Sequence, residues 1–206
     1  MPIDETLFSR LPALIIALVF HEFAHAAVAD QLGDPTPRYA GRLTLNPLAH
    51  LDPIGFVALW FFRFGWAKPV PVNPYNFRDY RRGMLTVALA GPVMNVILAF
   101  ITLLVIKIFT LTRFSVIGNL VWYLLYYNVW IAVFNLIPVP PLDGSKVLAG
   151  LLPGRQTAVL YGMQPYSWLV LFALIYLGII PMILLPVSQA VLTVLDRLTS
   201  LILYAF

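Results

Sequence analysis

Apolar residues run almost unbroken over positions 7 to 30, 84 to 111, 115 to 137 and from Tyr166 to the C-terminus, with polar and proline-rich segments between them. A membrane-spanning helix needs about 20 predominantly apolar residues, so each of the first three runs predicts one span. The fourth is long enough for two, and Pro181 and Pro186 mark the expected break, because proline removes a backbone donor and disfavours continued helix. The stretch "LDPIGFVALWFFRFGW", 51 to 66, is apolar but short for a crossing, which predicts a re-entrant or interfacial element. After it, "AKPVPVNPYNF" alternates proline with β-branched valine and predicts an extended segment or edge strand, with "GRLTLNPLAH", 41 to 50, as its hairpin partner. The expected fold is an all-α polytopic membrane protein of about five to six transmembrane helices, five of them clear, with one short β-hairpin or extended segment.

Composition agrees and removes alternatives. Of 206 residues, 61% are hydrophobic and 11% charged, against about 25% charged in a soluble domain. A single membrane-embedded domain over 1–206 is expected, and no hydrophilic stretch is large enough for a tethered soluble catalytic domain. The absence of cysteine excludes disulfides and thiolate metal sites and leaves imidazole and carboxylate as the strong ligands. A net charge of +4 in a soluble protein would raise the question of nucleic acid. Here Arg38, Arg42, Arg63, Lys68, Arg78, Arg81, Arg82, Lys146 and Arg155 lie in loops on one side of the predicted spans, so membrane topology explains them and no nucleic-acid partner is expected. That side is expected to be cytoplasmic, with the N-terminus outside and the C-terminus inside. Asp4 and Glu5 stand where a secretory signal would be basic, so the first helix reads as retained.

Within the first apolar run stands "HEFAH". His21 and His25, four apart, project from one helix face at a spacing suited to a shared Zn²⁺, and Glu22 completes the HExxH pattern, in which the glutamate takes a proton from the activated water. Ionisable groups inside a span are costly and mark functional sites. A catalytic zinc takes a third protein ligand. One candidate is Asp143 in "NLIPVPPLDGSKVL", a proline-rich stretch that must be buried in protein or line a wet cavity; its competing reading is the N-cap of a following helix. The other candidates are His50 and Asp52, for which a loop-capping role competes. Asp196 and Arg197 read as a helix-end pair, and Trp60, Trp66, Trp122, Trp130 and Trp168 as interfacial anchors and packing.

"HEFAH" in one span, "GPVMN" (91 to 95) in a second and "NLIPVPPLDG" (135 to 144) after a third resemble, in order and context, the signature motifs of the site-2 protease family of intramembrane zinc metalloproteases, peptidase family M50. The likeness covers a catalytic core of about 7–152, followed by C-terminal helices at about 165–206. It implies one Zn²⁺ per chain held by His21, His25 and Asp143, with Glu22 as general base. It also implies that Asn135 and Asn95 face the substrate. The implied activity is hydrolysis of transmembrane protein substrates within the lipid bilayer of a prokaryotic cell (inner) membrane, with the site toward the cytoplasm and the last two helices as a lateral gate. The chain departs from the family pattern at Ser145, where many members carry a second glycine, and has no counterpart of the PDZ or CBS domains of several relatives. A metal-binding scaffold without proteolysis, or a metal-ion carrier, is the competing class. Glu22 argues against a scaffold, which needs no base beside its metal, and the absence of acidic residues from the spans over 84 to 137 argues against a carrier.

Overall fold

The structure, a computed structural model, describes residues 7–62, 65–152, 162 and 164–204. Asp4, Glu5, Arg63, Arg155 and the side chain of Trp60 lie outside these residues. The described helices are α1 (Leu7–Gln31), α2 (Thr36–Tyr39), α3 (Pro47–His50), α4 (Pro53–Phe62), α5 (Tyr80–Ile108), α6 (Val116–Asn135), α7 (Asp143–Leu151), α8 (Ser167–Tyr176) and α9 (Ile179–Tyr204). Of these, α1, α5, α6 and α9 are long and apolar enough to cross a membrane.

Helices α1, α5 and α6 pack on one another. Toward its neighbours α1 buries Ala13, Ala17, Ala24, Ala26 and Ala29, none more than 4% exposed. Small side chains let helix backbones approach closely, which matters where lipid is as apolar as leucine and burial alone gives no drive. A second layer of packing joins Ala99, Leu103 and Ile106 of α5 to Leu125, Val129 and Val133 of α6 and Leu195 of α9. Lys107, at the end of α5, fastens that corner: its ammonium reaches Asp196 Oδ1 at 2.7 Å and donates to Ser200 Oγ at 2.8 Å. Asp196 therefore pairs with a lysine of another helix, where the sequence suggested its neighbour Arg197.

The break in the last apolar run falls at Gly178, whose φ of +75° ends α8. Pro181 lies in the first turn of α9, where its missing N–H has no helical acceptor, and Pro186 is carried inside the helix. At ten residues, α8 is about 15 Å long, half the hydrocarbon thickness, so among the described residues of this run one helix, α9, is long and apolar enough to span, where two spans were expected. The contacts of Asp196 and Ser200 with Lys107 place that part of α9 beside the C-terminal end of α5. The ten-residue α4 is likewise too short to cross alone.

No sheet forms among the described residues. Positions 68 to 73 adopt no regular secondary structure, and Pro69 and Pro71 lack the amides a ladder requires. The expected partner segment instead turns into α3, capped by the Asn46 side chain accepting from the Leu48 amide. A single antiparallel bridge, Leu51 with Ala67, is all that remains of the hairpin. The Arg42 guanidinium ties the two segments together by donating to the carbonyls of Ala49 and Lys68.

Asp34 fixes the segment at 68 to 73 to the end of α1. Fully buried, its carboxylate accepts from the Thr36 amide and hydroxyl, the Asn73 amide at 2.7 Å and Asn76 Nδ2 at 2.7 Å. Burial pushes its pKa up, but these hydrogen bonds outweigh burial and hold it below the usual carboxylate value. A lowered folded pKa means stabilisation that is complete above about pH 4 and is lost as pH falls through the lower folded value. Asp34→Ala is expected to destabilise the protein by about 1–3 kcal/mol at neutral pH. Thermal melts in detergent should show the gap between variant and parent closing below about pH 4; a gap independent of pH would refute the role of the charge.

Candidate metal centre

The site is assembled from three helices and a turn. One helical turn separates His21 and His25 on α1, so both imidazoles leave the same face, and both are buried. Asp143 begins α7, directly after the turn that ends α6. Gly144 makes that geometry possible: a Cβ there would lie 2.3 Å from the Leu136 carbonyl oxygen and 2.5 Å from that of Ile137. The turn therefore folds tightly on itself and returns Asp143 to α1. The helix N-cap is Leu142, with no side-chain bond, so the Asp143 carboxylate is free for the histidines.

Its Oδ2 lies 3.2 Å from His21 Nε2 and 3.0 Å from His25 Nε2, and the two Nε2 atoms are 3.0 Å apart. Ligands about 2.0–2.1 Å from a tetrahedral zinc stand about 3.3 Å from one another, close to this triangle. The outer face of each ring agrees. His21 Nδ1 is 2.6 Å from Asn95 Oδ1, and His25 Nδ1 is 2.7 Å from the Val87 carbonyl. The Val87 carbonyl only accepts. Asn95 spends its amide group on the Ala17 carbonyl and Asn128 Oδ1, which turns its own oxygen toward His21. Both Nδ1 atoms therefore carry the ring proton, and both Nε2 lone pairs point inward beside a carboxylate oxygen. Three electron pairs converging within 3.2 Å repel one another unless a cation lies among them, so the donor set fits a metal ion. Outward hydrogen bonds that fix the tautomer are the usual support of metal-binding histidine.

Gly91 leaves the space. A Cβ on it would sit 2.5 Å from both His21 Cε1 and His25 Nε2. Beside the triangle opens a cavity of about 270 Å³. Its apolar wall comprises Pro69, Val70, Val72, Met84, Val87, Ala88 and Pro141; its polar wall adds Glu22, Asn135 and Lys146 to the three converging residues. Glu22 is half-buried and accepts from the Val70 amide at 3.2 Å. Asn135 donates to the Ile131 carbonyl of its own helix and lines the cavity. Lys146 reaches the second oxygen of Asp143 at 3.2 Å.

Of the residues singled out in the sequence, His21, Glu22, His25, Asp143 and Asn135 meet at this cavity. Asn95 does not line it; wholly buried, it stands behind His21. His50 and Asp52 lie elsewhere: His50 Nε2 bonds the Thr44 carbonyl, and Asp52 accepts from the Gly55 amide at the start of α4. Asn128, fully buried and bonded to Asn95, escaped the sequence reading, although it precedes Asn135 by two helical turns and so shares its face. Lys146, read only as a loop charge, and the Val70 amide had no sequence signal, since their partners lie across the fold.

Residues 110–178 match the sequence model described as peptidase family M50. The chain is 36% identical over 193 residues to "Putative zinc metalloprotease YwhC" of Bacillus subtilis, covering 88% of each chain. It is 31% identical over 170 residues to "Putative zinc metalloprotease Rip2" of Mycobacterium tuberculosis, covering 79% of this chain and 62% of that one. "Zinc metalloprotease MJ0392" of Methanocaldococcus jannaschii is 26% identical over 179 residues, 81% of this chain and 43% of the relative. No solved structure matches the chain.

Proposed function

Since the chain belongs to peptidase family M50 and is thereby a zinc metalloprotease, we propose that it cleaves peptide bonds of transmembrane substrates inside the bilayer, with one zinc held by His21, His25 and Asp143 and with Glu22 as general base. The observation that carries this reading is the cavity itself: a carboxylate, Glu22, stands free of the ligand triangle yet beside it, within a bundle of helices apolar enough to cross a membrane.

Zinc held by His21, His25 and Asp143 would supply Lewis acidity at this place, toward a water and a substrate carbonyl. Glu22 accepts the proton of the attacking water and returns it to the leaving amine. His21 and His25 keep their Nε2 atoms directed inward through Asn95 and Val87, so Asn95 acts behind the site and not on the substrate. A substrate helix must be extended for its amides to be reached, and the freed groups then need partners. Asn135 offers a carbonyl oxygen, and the segment at Val70 and Val72 offers main-chain groups for strand addition. The Val70 amide is already engaged by Glu22, so carbonyls do most of the pairing on that segment.

The basic residues Arg38, Arg42, Lys68, Arg78, Arg81, Arg82 and Lys146 lie in the connections, the short helices and the first turn of α5 at the site's end of the bundle, which favours a cytoplasmic opening in a prokaryotic cell membrane. The whole chain, 1–206, is read as one protease domain.

The test is cleavage of a labelled single-span peptide by the purified protein in lipid vesicles, compared with a soluble unfolded peptide. Preferential cleavage of the spanning peptide is expected; cleavage of the soluble peptide alone would remove the intramembrane substrate class while leaving the peptidase. In the same assay Asn135→Ala is expected to reduce turnover about 10-fold or more, the scale of a lost hydrogen bond in the transition state, with zinc content unchanged. Loss of zinc from that variant would reassign Asn135 to the metal.

A further inference from the structure

We propose that Lys146 is a positioning residue for the metal ligand Asp143: by holding one carboxylate oxygen it keeps Asp143 a one-oxygen ligand and leaves the fourth coordination place open for water and substrate. This rests on the zinc reading above and adds to it a residue that none of the motifs includes.

The two oxygens of Asp143 have different partners. Oδ2 faces both imidazoles, at 3.2 and 3.0 Å, and Oδ1 faces the Lys146 ammonium at 3.2 Å. Lys146 follows Asp143 by three residues on α7, so its stem lies over the same helix face one turn on. A carboxylate buried to this degree, with a cation beside it, has two ways to bind: through one oxygen, or through both after a small rotation. A catalytic zinc takes three protein ligands and keeps one position open, and a chelating carboxylate would crowd that position. The charge-assisted bond from Lys146 to Oδ1 opposes the rotation. Hydrogen-bonded carboxylates are the norm around metals, and loss of such an outer partner costs about 10–100-fold in affinity or activity.

The alternative is that the pair merely supports α7. Lys146 is about half exposed, its side chain at 48% against 8% for Asp143, so solvent screens the lysine charge and limits what the pair adds to α7. Among the described residues that line the cavity, Lys146 is the one ammonium or guanidinium group, so no second cation there stands ready to take its place.

The experiment uses the full-length protein in detergent, stripped of metal and reloaded with Co²⁺, whose visible bands are strong in four-coordinate sites and weak in five- or six-coordinate ones. The parent should give the strong spectrum. Lys146→Met should weaken it and lower kcat on a spanning peptide about 10–100-fold with little change in KM, and Lys146→Arg should restore both. A Lys146→Met spectrum equal to that of the parent would overturn the proposal even if activity fell, since the lysine would then act on substrate directly. Failure of Arg to restore the spectrum would also overturn it. A parent that binds no Co²⁺, or that binds it as well after Asp143→Ala, would overturn the ligand reading itself and this proposal with it, so the two failures are distinct.

Discussion

Glu22→Gln is expected to lower peptidase turnover by about 10²–10⁴-fold, the contribution of a positioned general base, while zinc content stays at the parent level. The prediction is sharp because of where Glu22 stands. It is outside the triangle of His21 Nε2, His25 Nε2 and Asp143 Oδ2, so metal affinity should not depend on its charge. Its carboxylate is held by the Val70 amide, and glutamine keeps a carbonyl oxygen of the same reach to accept from that amide. The segment at Val70 therefore stays in place, and what the substitution removes is the ability to take a proton. The measurement is cleavage of a spanning peptide at equal zinc occupancy, determined by metal analysis of the same samples. If Glu22→Gln retained turnover within about threefold, less than 1 kcal/mol, the general-base assignment would fail although the family membership would stand. If zinc fell with activity, Glu22 would belong to the metal shell.

The legibility of this site in the sequence follows from how its parts are spaced. His21, Glu22 and His25 lie within one turn and a half of one helix, so helical periodicity alone puts the two imidazoles together. Asp143 is more than a hundred residues away; proximity in sequence says nothing of it, and it became readable through the pattern around it, a proline-rich turn after a span where no polar residue is needed for solvation. Gly144 explains the motif physically, since the carbonyls of Leu136 and Ile137 leave no room for a side chain. Asn128 and Lys146 were not readable in the same way. Each has an ordinary bland reading, a polar residue in a span and a cation in a loop, and each acquires its meaning from a contact across the fold. The long spans were readable because membrane crossing demands length and apolarity, and those are properties of a single segment. The end of α8 was not, since prolines near a helix start are tolerated and the residue that breaks the chain is Gly178, with its left-handed backbone. The hairpin failed for a related reason: alternation of valine suits a strand, but the intervening prolines remove the donors that would join it to a partner.

Gly91→Ala is expected to weaken zinc binding, raising the dissociation constant by about 100-fold or more, beyond the usual cost of losing an outer-shell contact. By local propensity the substitution should help: alanine is favoured over glycine in a helix interior by about 1 kcal/mol, and Gly91 lies well inside α5. The site reverses this. The added methyl would lie 2.5 Å from His21 Cε1, 2.5 Å from His25 Nε2 and 2.7 Å from His21 Nε2, inside van der Waals contact with both rings at the atoms that face the metal. Neither ring can step aside at small cost, because His21 is held from behind by Asn95 and His25 by the Val87 carbonyl. Moving a ring breaks its outer hydrogen bond and tilts its lone pair away from the centre of the triangle. Helix propensity and the lost outer hydrogen bond act in opposite directions on the metal-free protein, so its thermal stability should change little or fall, while zinc content and peptidase activity should both drop sharply. A Gly91→Ala protein that holds stoichiometric zinc and cleaves normally would show that the histidines do not approach α5 as closely as this geometry requires, and the steric reason for a glycine at the head of "GPVMN" would fall with it.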